Sequence, residues 1–355
     1  MLGENHKEVF YYRWNLRQKT ASKQILLNKR FLEKGEFTGV ILQNFNSAVM
    51  TGAYEGIQIA NCAINVLLSY TAITLNTITI LALRKTSLSS PLKTLLLSLA
   101  VSDLGVGLLV QPLYVASFVM ESEGNSSASY NFVIKSYRMI VVFLCVASFL
   151  GVTALSVDRF LAIHLHLRYQ AIVTHKRVVA SVVSIWVLSA VISQTALRIL
   201  QVTFLMFGTI SVICLISSAF FYYKIYVTVQ RHANQIQVLQ LQPRQGDNEM
   251  VEYNARLKKA AIGTFYVYLV FLICNLPNTL FFFLIPSNLV HQSADLETIL
   301  SLADTLVFLN SSLNPLIYCW KMRHIRQAIM AMLRKIYLGT QHSHSRSPNA
   351  AHTIN

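Results

Sequence analysis

Seven stretches of this chain each run for about 20 residues or more with at most one charged side chain, and little can fold that way in water. Ile57–Leu83, Met139–Val157, Val178–Leu197, Ile199–Tyr223 and Ala260–Ile285 carry no charge, while Thr94–Met120 carries Asp103 and Thr298–Trp320 carries Asp304. A helix of about 20 apolar residues crosses a ~30 Å hydrocarbon core. Transmembrane strands are shorter and alternate in hydropathy, and these runs do neither. Charged residues are 13% of the chain, against about 25% in soluble domains. The spacing therefore predicts an all-α membrane protein, a seven-transmembrane helix bundle. It excludes disorder and argues against a water-soluble enzyme.

The net charge of +15 comes from 30 Lys+Arg against 15 Asp+Glu. These cations sit between the apolar runs instead of forming one stripe, so they report topology and not a nucleic-acid surface. One set of connections holds Arg84, Lys85, Lys93, Arg168, Lys176, Arg177, Lys224, Arg231 and the run from Lys321 to Arg326. The opposite set holds Lys135, Arg138 and Arg198. The basic side is expected in the cytoplasm, with the N-terminus outside and the C-terminus inside a multi-pass plasma-membrane protein. Asn125-Ser126-Ser127, a glycosylation sequon, then falls in an outer loop.

Residues 1–56 read as an extracellular tail, 57–320 as the membrane domain and 338–355 as a disordered cytoplasmic tail. Between them, 321–337 places Met322, Ile325, Ile329 and Leu333 at helical spacing among Arg and Lys, a short amphipathic eighth helix on lipid headgroups. Residues 1–49 carry eight Lys and Arg on the side that should be poor in them. Translation from Met50, or a disordered upstream tail, would remove the conflict. Arg231–Arg256, Gln-rich and broken by Pro243 and Gly246, reads as a flexible cytoplasmic loop. Two runs meet near Arg198, so their turn must be very short. All five cysteines lie in or beside apolar runs, and no structural disulfide is expected.

An ionisable group at mid-bilayer costs at least about 2.5–3.5 kcal/mol, so it faces an interior and does a job. No other run carries a cation at the depth of Asp103. Either it is protonated, or it holds a small cation among neutral oxygens, with a merely hydrogen-bonded structural acid as the alternative. Ser148, Asn310, Ser311, Asn314 and Asn76 offer such oxygens at similar depth. Asp158-Arg159 stands at the end of the third run. Pro277 and Pro315 each remove a backbone donor inside a span and predict kinks. His164, His166 and His175 have no metal-ligand spacing, and no nucleophile–base set appears. Neither a transition metal nor an enzyme is expected.

Together these residues resemble the rhodopsin-like (class A) G-protein-coupled receptors over about residues 55–337. The resemblance rests on Asn76, LAVSD ending at Asp103, Asp158-Arg159-Phe160, Trp186, Tyr222, Pro277 and the NPLIY at 314–318, in order along seven runs. It implies a receptor that binds an extracellular ligand and activates a heterotrimeric G protein. It carries over Asp103, Ser148, Asn310 and Asn314, with Ser311 beside them, as a site for an allosteric Na⁺. Arg159, Tyr222 and Tyr318 carry over as switch residues, with Asp158, Pro277 and Pro315 around them. The ligand pocket falls among Gln111, Arg138, Val141 and Cys145 on one side. Phe207, Asn278, Asp304 and Phe308 stand on the other.

The chain departs from that family in several places. Ile134 stands where a cysteine usually starts the outer disulfide, Cys214 replaces a proline, and Asn275 replaces a tryptophan. Leu257 stands where an acid often faces Arg159. The missing bridge and tiny second outer loop resemble the melanocortin-like branch, which the NPLIY does not. Val141 stands where amine receptors carry an anchoring acid, which counts against a monoamine. Phe308 takes the place of the retinal-linking lysine. Asp304 is the best partner for a cation in the pocket, with Arg138 as its counterpart, and the two pairing with each other is the plain alternative. A transporter or channel using the two membrane acids, and a receptor-like protein that no longer signals, remain as other readings of the chain.

Overall fold

The computed structural model describes residues 37–331 and 334, except 87, 124–127, 166–167, 199, 240–246 and 285–293; over 37–54, 232–239, 247–261 and a few helix ends it describes the backbone alone. Seven long helices follow one another: α1 Phe37–Arg84, α2 Ser90–Ser122, α3 Ala128–Leu165, α4 His175–Ser193, α5 Leu200–Leu239, α6 Asp247–Leu284 and α7 Ala294–Lys321. An eighth, α8, covers 323–331. No strand occurs among the described residues.

Six of these helices, α1 to α6, are long and apolar enough to cross a membrane. The 28-residue α7 has the length but carries Asp304, Asn310, Ser311, Ser312 and Asn314, which lower its hydropathy. Such a helix is stable in a bilayer only when its polar face is turned inward. It packs between α1 and α6, where those side chains are mostly buried. Ile59, Leu67 and Tyr70 of α1, Val187 and Val191 of α4, and Ile213 and Ile216 of α5 point outward. That apolar belt needs lipid around it.

The centre belongs to α3, which packs most extensively on α5 and also meets α2, α4 and α6. Phe149 of α3 stands edge-on to Phe207 of α5 at 5.5 Å and to Phe271 of α6 at 5.0 Å. α2 widens into a π-turn over Val106–Val110, immediately before Pro112. A proline lacks its N–H and crowds the carbonyl one turn earlier, and a wider turn relieves both. The helices of Pro277 and Pro315 run through those residues.

Three boundaries differ from the sequence reading. α1 begins at Phe37, within the expected tail. α5 extends to Leu239 and α6 starts at Asp247, so much of the expected loop is helix. The Gln, Ala, Leu and Glu found there are good helix formers, and Pro243 and Gly246 fall in the interval between. α8 follows a break at Met322 and buries Met322, Ile325 and Ile329 while exposing Arg323, His324 and Arg326. The turn from α4 to α5 is short: a 3₁₀ turn at Gln194–Leu197 lies almost against Leu200. The five cysteines are free thiols.

Candidate functional site

Polar side chains buried in the bundle form three groups, one at each end and one between them. At the first end Arg159 forms a buried ion pair with Asp158, its Nε donating to Oδ2 at 3.0 Å. Tyr169, in a short helix Tyr169–Ile172, donates its hydroxyl to the other oxygen, Oδ1, at 2.6 Å. Asp158 is thereby held from two sides, and the guanidinium is kept folded onto its own helix. Tyr222 of α5 stacks on Tyr268 of α6 at 5.2 Å between ring centres. Its hydroxyl, like that of Tyr318 on α7, is buried without a hydrogen-bond partner. The side chain of Leu257 lies outside the described residues.

Asp103 occupies the middle, 1% exposed, and its Oδ2 accepts a hydrogen bond from Asn314 Nδ2 at 2.8 Å. The Ser311 hydroxyl is a second neighbour of the carboxylate. Ser148 Oγ, Asn310 Oδ1 and Asn314 Oδ1 are buried without partners. Buried oxygens are seldom left so, and a carboxylate with several spare neutral oxygens suits a hard cation. Asn76 does not serve Asp103. Its amide donates to Ala72 O and Ser311 O, each at 2.9 Å, and so ties α1 to the backbone of α7.

At the second end Asp304 Oδ1 accepts from Asn278 Nδ2 at 3.0 Å, and the Tyr137 hydroxyl stands near the carboxylate. The hydrogen-bond partner of Asp304 is thus an amide, where pairing with Arg138 was the plain alternative. Arg138 stands close to Tyr137. Cys145 and Phe308 are buried nearby, and Val141 is partly buried between the two apolar clusters. Gln111 is fully buried with both amide atoms unpartnered. Phe207 packs on Phe149 and Phe282, which makes it part of the aromatic core. Asn125 lies outside the described residues.

The sequence reading missed a polar ladder between α1 and α7. Asn61 donates to the Tyr114 hydroxyl at 2.9 Å and accepts from Thr305 at 2.7 Å, Asn65 donates to Thr305 at 2.8 Å, and Ser301 donates to Gln58 at 3.1 Å. Gln58, Asn61 and Asn65 recur at spacings of three and four, which put them on one helix face. That periodicity was the available signal. No cluster of His, Cys, Asp or Glu able to hold a metal occurs among the described residues.

The pattern that defines the family "7 transmembrane receptor (rhodopsin family)" matches residues 75–204 and 194–318, most of the bundle. The chain belongs to the rhodopsin family of seven-transmembrane receptors. It is a multi-pass plasma-membrane protein whose relatives are receptors and not enzymes. This receptor is similar to the adenosine receptor A3 of Ovis aries, 22% identical over 283 residues that cover 73% of this chain and 84% of the relative. It is also similar to the histamine H2 receptor of Cavia porcellus, 36% identical over 104 residues, 29% of this chain. The tyramine receptor Ser-2 of Caenorhabditis elegans is 35% identical over 98 residues, 28% of this chain. The last two matches span only 28% and 21% of those relatives' lengths.

Proposed function

We propose that this receptor binds an extracellular ligand, a peptide or small molecule, at the Asp304 end and activates a heterotrimeric G protein at the Arg159 end. The observation that carries the reading is Arg159, a buried cation restrained by Asp158, which Tyr169 restrains in turn. Releasing that guanidinium exposes a donor at a helix end, where a partner's carbonyl groups are able to receive it. The unpartnered hydroxyls of Tyr222 and Tyr318 sit in the same half and are free to take new partners when α6 and α7 move. Loop charge supports this end facing the cytoplasm, with the N-terminus outside. The relatives' names denote histamine, tyramine and adenosine, which favours the small-molecule form of the reading. The family match does not favour a transporter or channel.

Asp103, Ser148, Asn310, Ser311 and Asn314 would hold a sodium ion. When bound, the ion supplies a positive charge beside Asp103 in one conformation only. It therefore shifts the equilibrium by the difference in its affinity for the two states.

The test is nucleotide exchange by a purified heterotrimeric G protein with the receptor in lipid nanodiscs. Exchange is expected to exceed the receptor-free rate, and Arg159→Ala to remove the excess. If no G-protein family member responds to the unmodified receptor, with or without a ligand panel, the reading is wrong.

A further inference from the structure

Asp304 is the second acid within the apolar runs, and neither the ion site nor the G-protein end uses it. Asn278 on α6 donates a hydrogen bond to it and the Tyr137 hydroxyl of α3 stands near it, and both groups are neutral. Neutral neighbours offset only part of the cost of removing a carboxylate from water, and among the described residues no cation pairs with Asp304. Asp304 is also partly exposed, although Asn278, Tyr114 and Phe308 around it are buried. The carboxylate therefore borders accessible space at the end of the bundle away from Arg159.

The surrounding walls say which cation fits. The Tyr137 ring lies 5.9 Å from that of Tyr114, and Tyr114 meets Phe308 edge-on at 5.8 Å. Asn61 holds the Tyr114 hydroxyl at 2.9 Å, so this ring is fixed from α1. A metal ion would require several more oxygens than one carboxylate and two neutral groups provide. Aromatic faces beside an anion suit a weakly hydrated organic ammonium, which gains from both. A carboxylate or phosphate ligand would be repelled.

We infer that Asp304, with Asn278 and Tyr137, binds the ammonium group of a small organic cation whose apolar part lies against the Tyr114–Tyr137 rings. The inference rests on reading this end as the ligand-binding end. It places the anionic anchor on α7, in a bundle where Val141 leaves α3 without one.

The full-length receptor in nanodiscs is titrated with 2-phenylethylamine and with 2-phenylethanol, which keeps ring and chain but lacks the charge. Binding is read as a ligand-induced rise of the thermal midpoint. The amine is expected to raise it and the alcohol not. Asp304→Asn should weaken the amine by about 30-fold or more, the scale of losing one partner of a buried charge pair. Asp304→Glu keeps the charge and should weaken it by less than about tenfold. Midpoints without ligand show whether each variant folds, and where the Asn variant does not, the preference for amine over alcohol decides. Equal responses to amine and alcohol, no response to either, or an unchanged affinity in a folded Asn variant would overturn the inference. Amine binding without nucleotide exchange would keep the site and remove the G-protein reading. Exchange together with Asp304-independent amine binding would do the reverse.

Discussion

Asn314 reaches Asp103 with the amide nitrogen and leaves its own oxygen, Oδ1, without a partner. Such a group is half satisfied, and a cation beside the carboxylate would complete it. Asp103→Asn keeps the shape and removes the charge. The expected result is loss of the sodium-dependent rise in thermal midpoint, and a variant that responds to sodium as the unmodified receptor does would reject the ion site. At Arg159 the restraint is local. The Tyr169 hydroxyl makes a charge-assisted hydrogen bond to Asp158, a class worth about 1.5–3 kcal/mol. Further along α6, Asn275 turns its amide back to Phe271 O at 2.7 Å, where the family usually carries a tryptophan. With that ring and the α6 acid both missing, basal nucleotide exchange by the unmodified receptor should be appreciable. Tyr169→Phe, which loosens the remaining restraint, should raise it about three- to tenfold, a part of the bond's worth. Equal basal rates at matched receptor density would show that the Asp158–Arg159 pair does not hold the receptor off.

Between elements, α1 and α2 approach closely at Gly107. A Cβ there would lie 3.0 Å from Ile73 Cγ1 and 3.1 Å from the backbone oxygen of Ser69. Ser69 also donates its hydroxyl to Gly107 O at 2.8 Å, so the two backbones are tied where they nearly touch. Gly107→Ala must push α1 away and is expected to cost about 1–3 kcal/mol, read as a lower thermal midpoint. Gly105→Ala meets only the end of the Leu144 side chain, which can rotate aside, so its loss should be smaller. A larger drop for Gly105→Ala would contradict the packing. The helices themselves were legible in the sequence, because an apolar run of bilayer length has few alternatives. Asp103, Asp304 and Asn314 were legible as polar groups in the wrong solvent. Their partners were not. Asn76 chose Ser311 O over Asp103, and Asp304 chose Asn278 over Arg138, because partner choice depends on helix rotation, which periodicity leaves open. The π-turn before Pro112 and the α1–α7 ladder likewise depend on contacts between runs, not within them.

At the scale of the whole molecule, the two ends differ in charge, and that difference predicts which end faces the cytoplasm. Arg84, Lys85, Arg168, Lys176, Arg177, Lys224 and Arg326 are exposed at the Arg159 end. The N-terminal cations contradict this bias only in a simple count. They end at Lys34, while the uncharged apolar run of α1 begins at Ile57. Charge steers insertion chiefly within about 15–20 residues of a span, so Lys34 and those before it lie beyond its reach. The exposed charges next to the spans then predict α8 and the C-terminus in the cytoplasm and the segment after α2 outside. In intact cells an epitope tag at the C-terminus should be labelled only after permeabilisation. Asn125 should carry an endoglycosidase-sensitive glycan, and Asn125→Gln should abolish the mass shift. Labelling of the C-terminal tag on unpermeabilised cells would invert the topology, and with it the assignment of Asp304 to the ligand and Arg159 to the G protein.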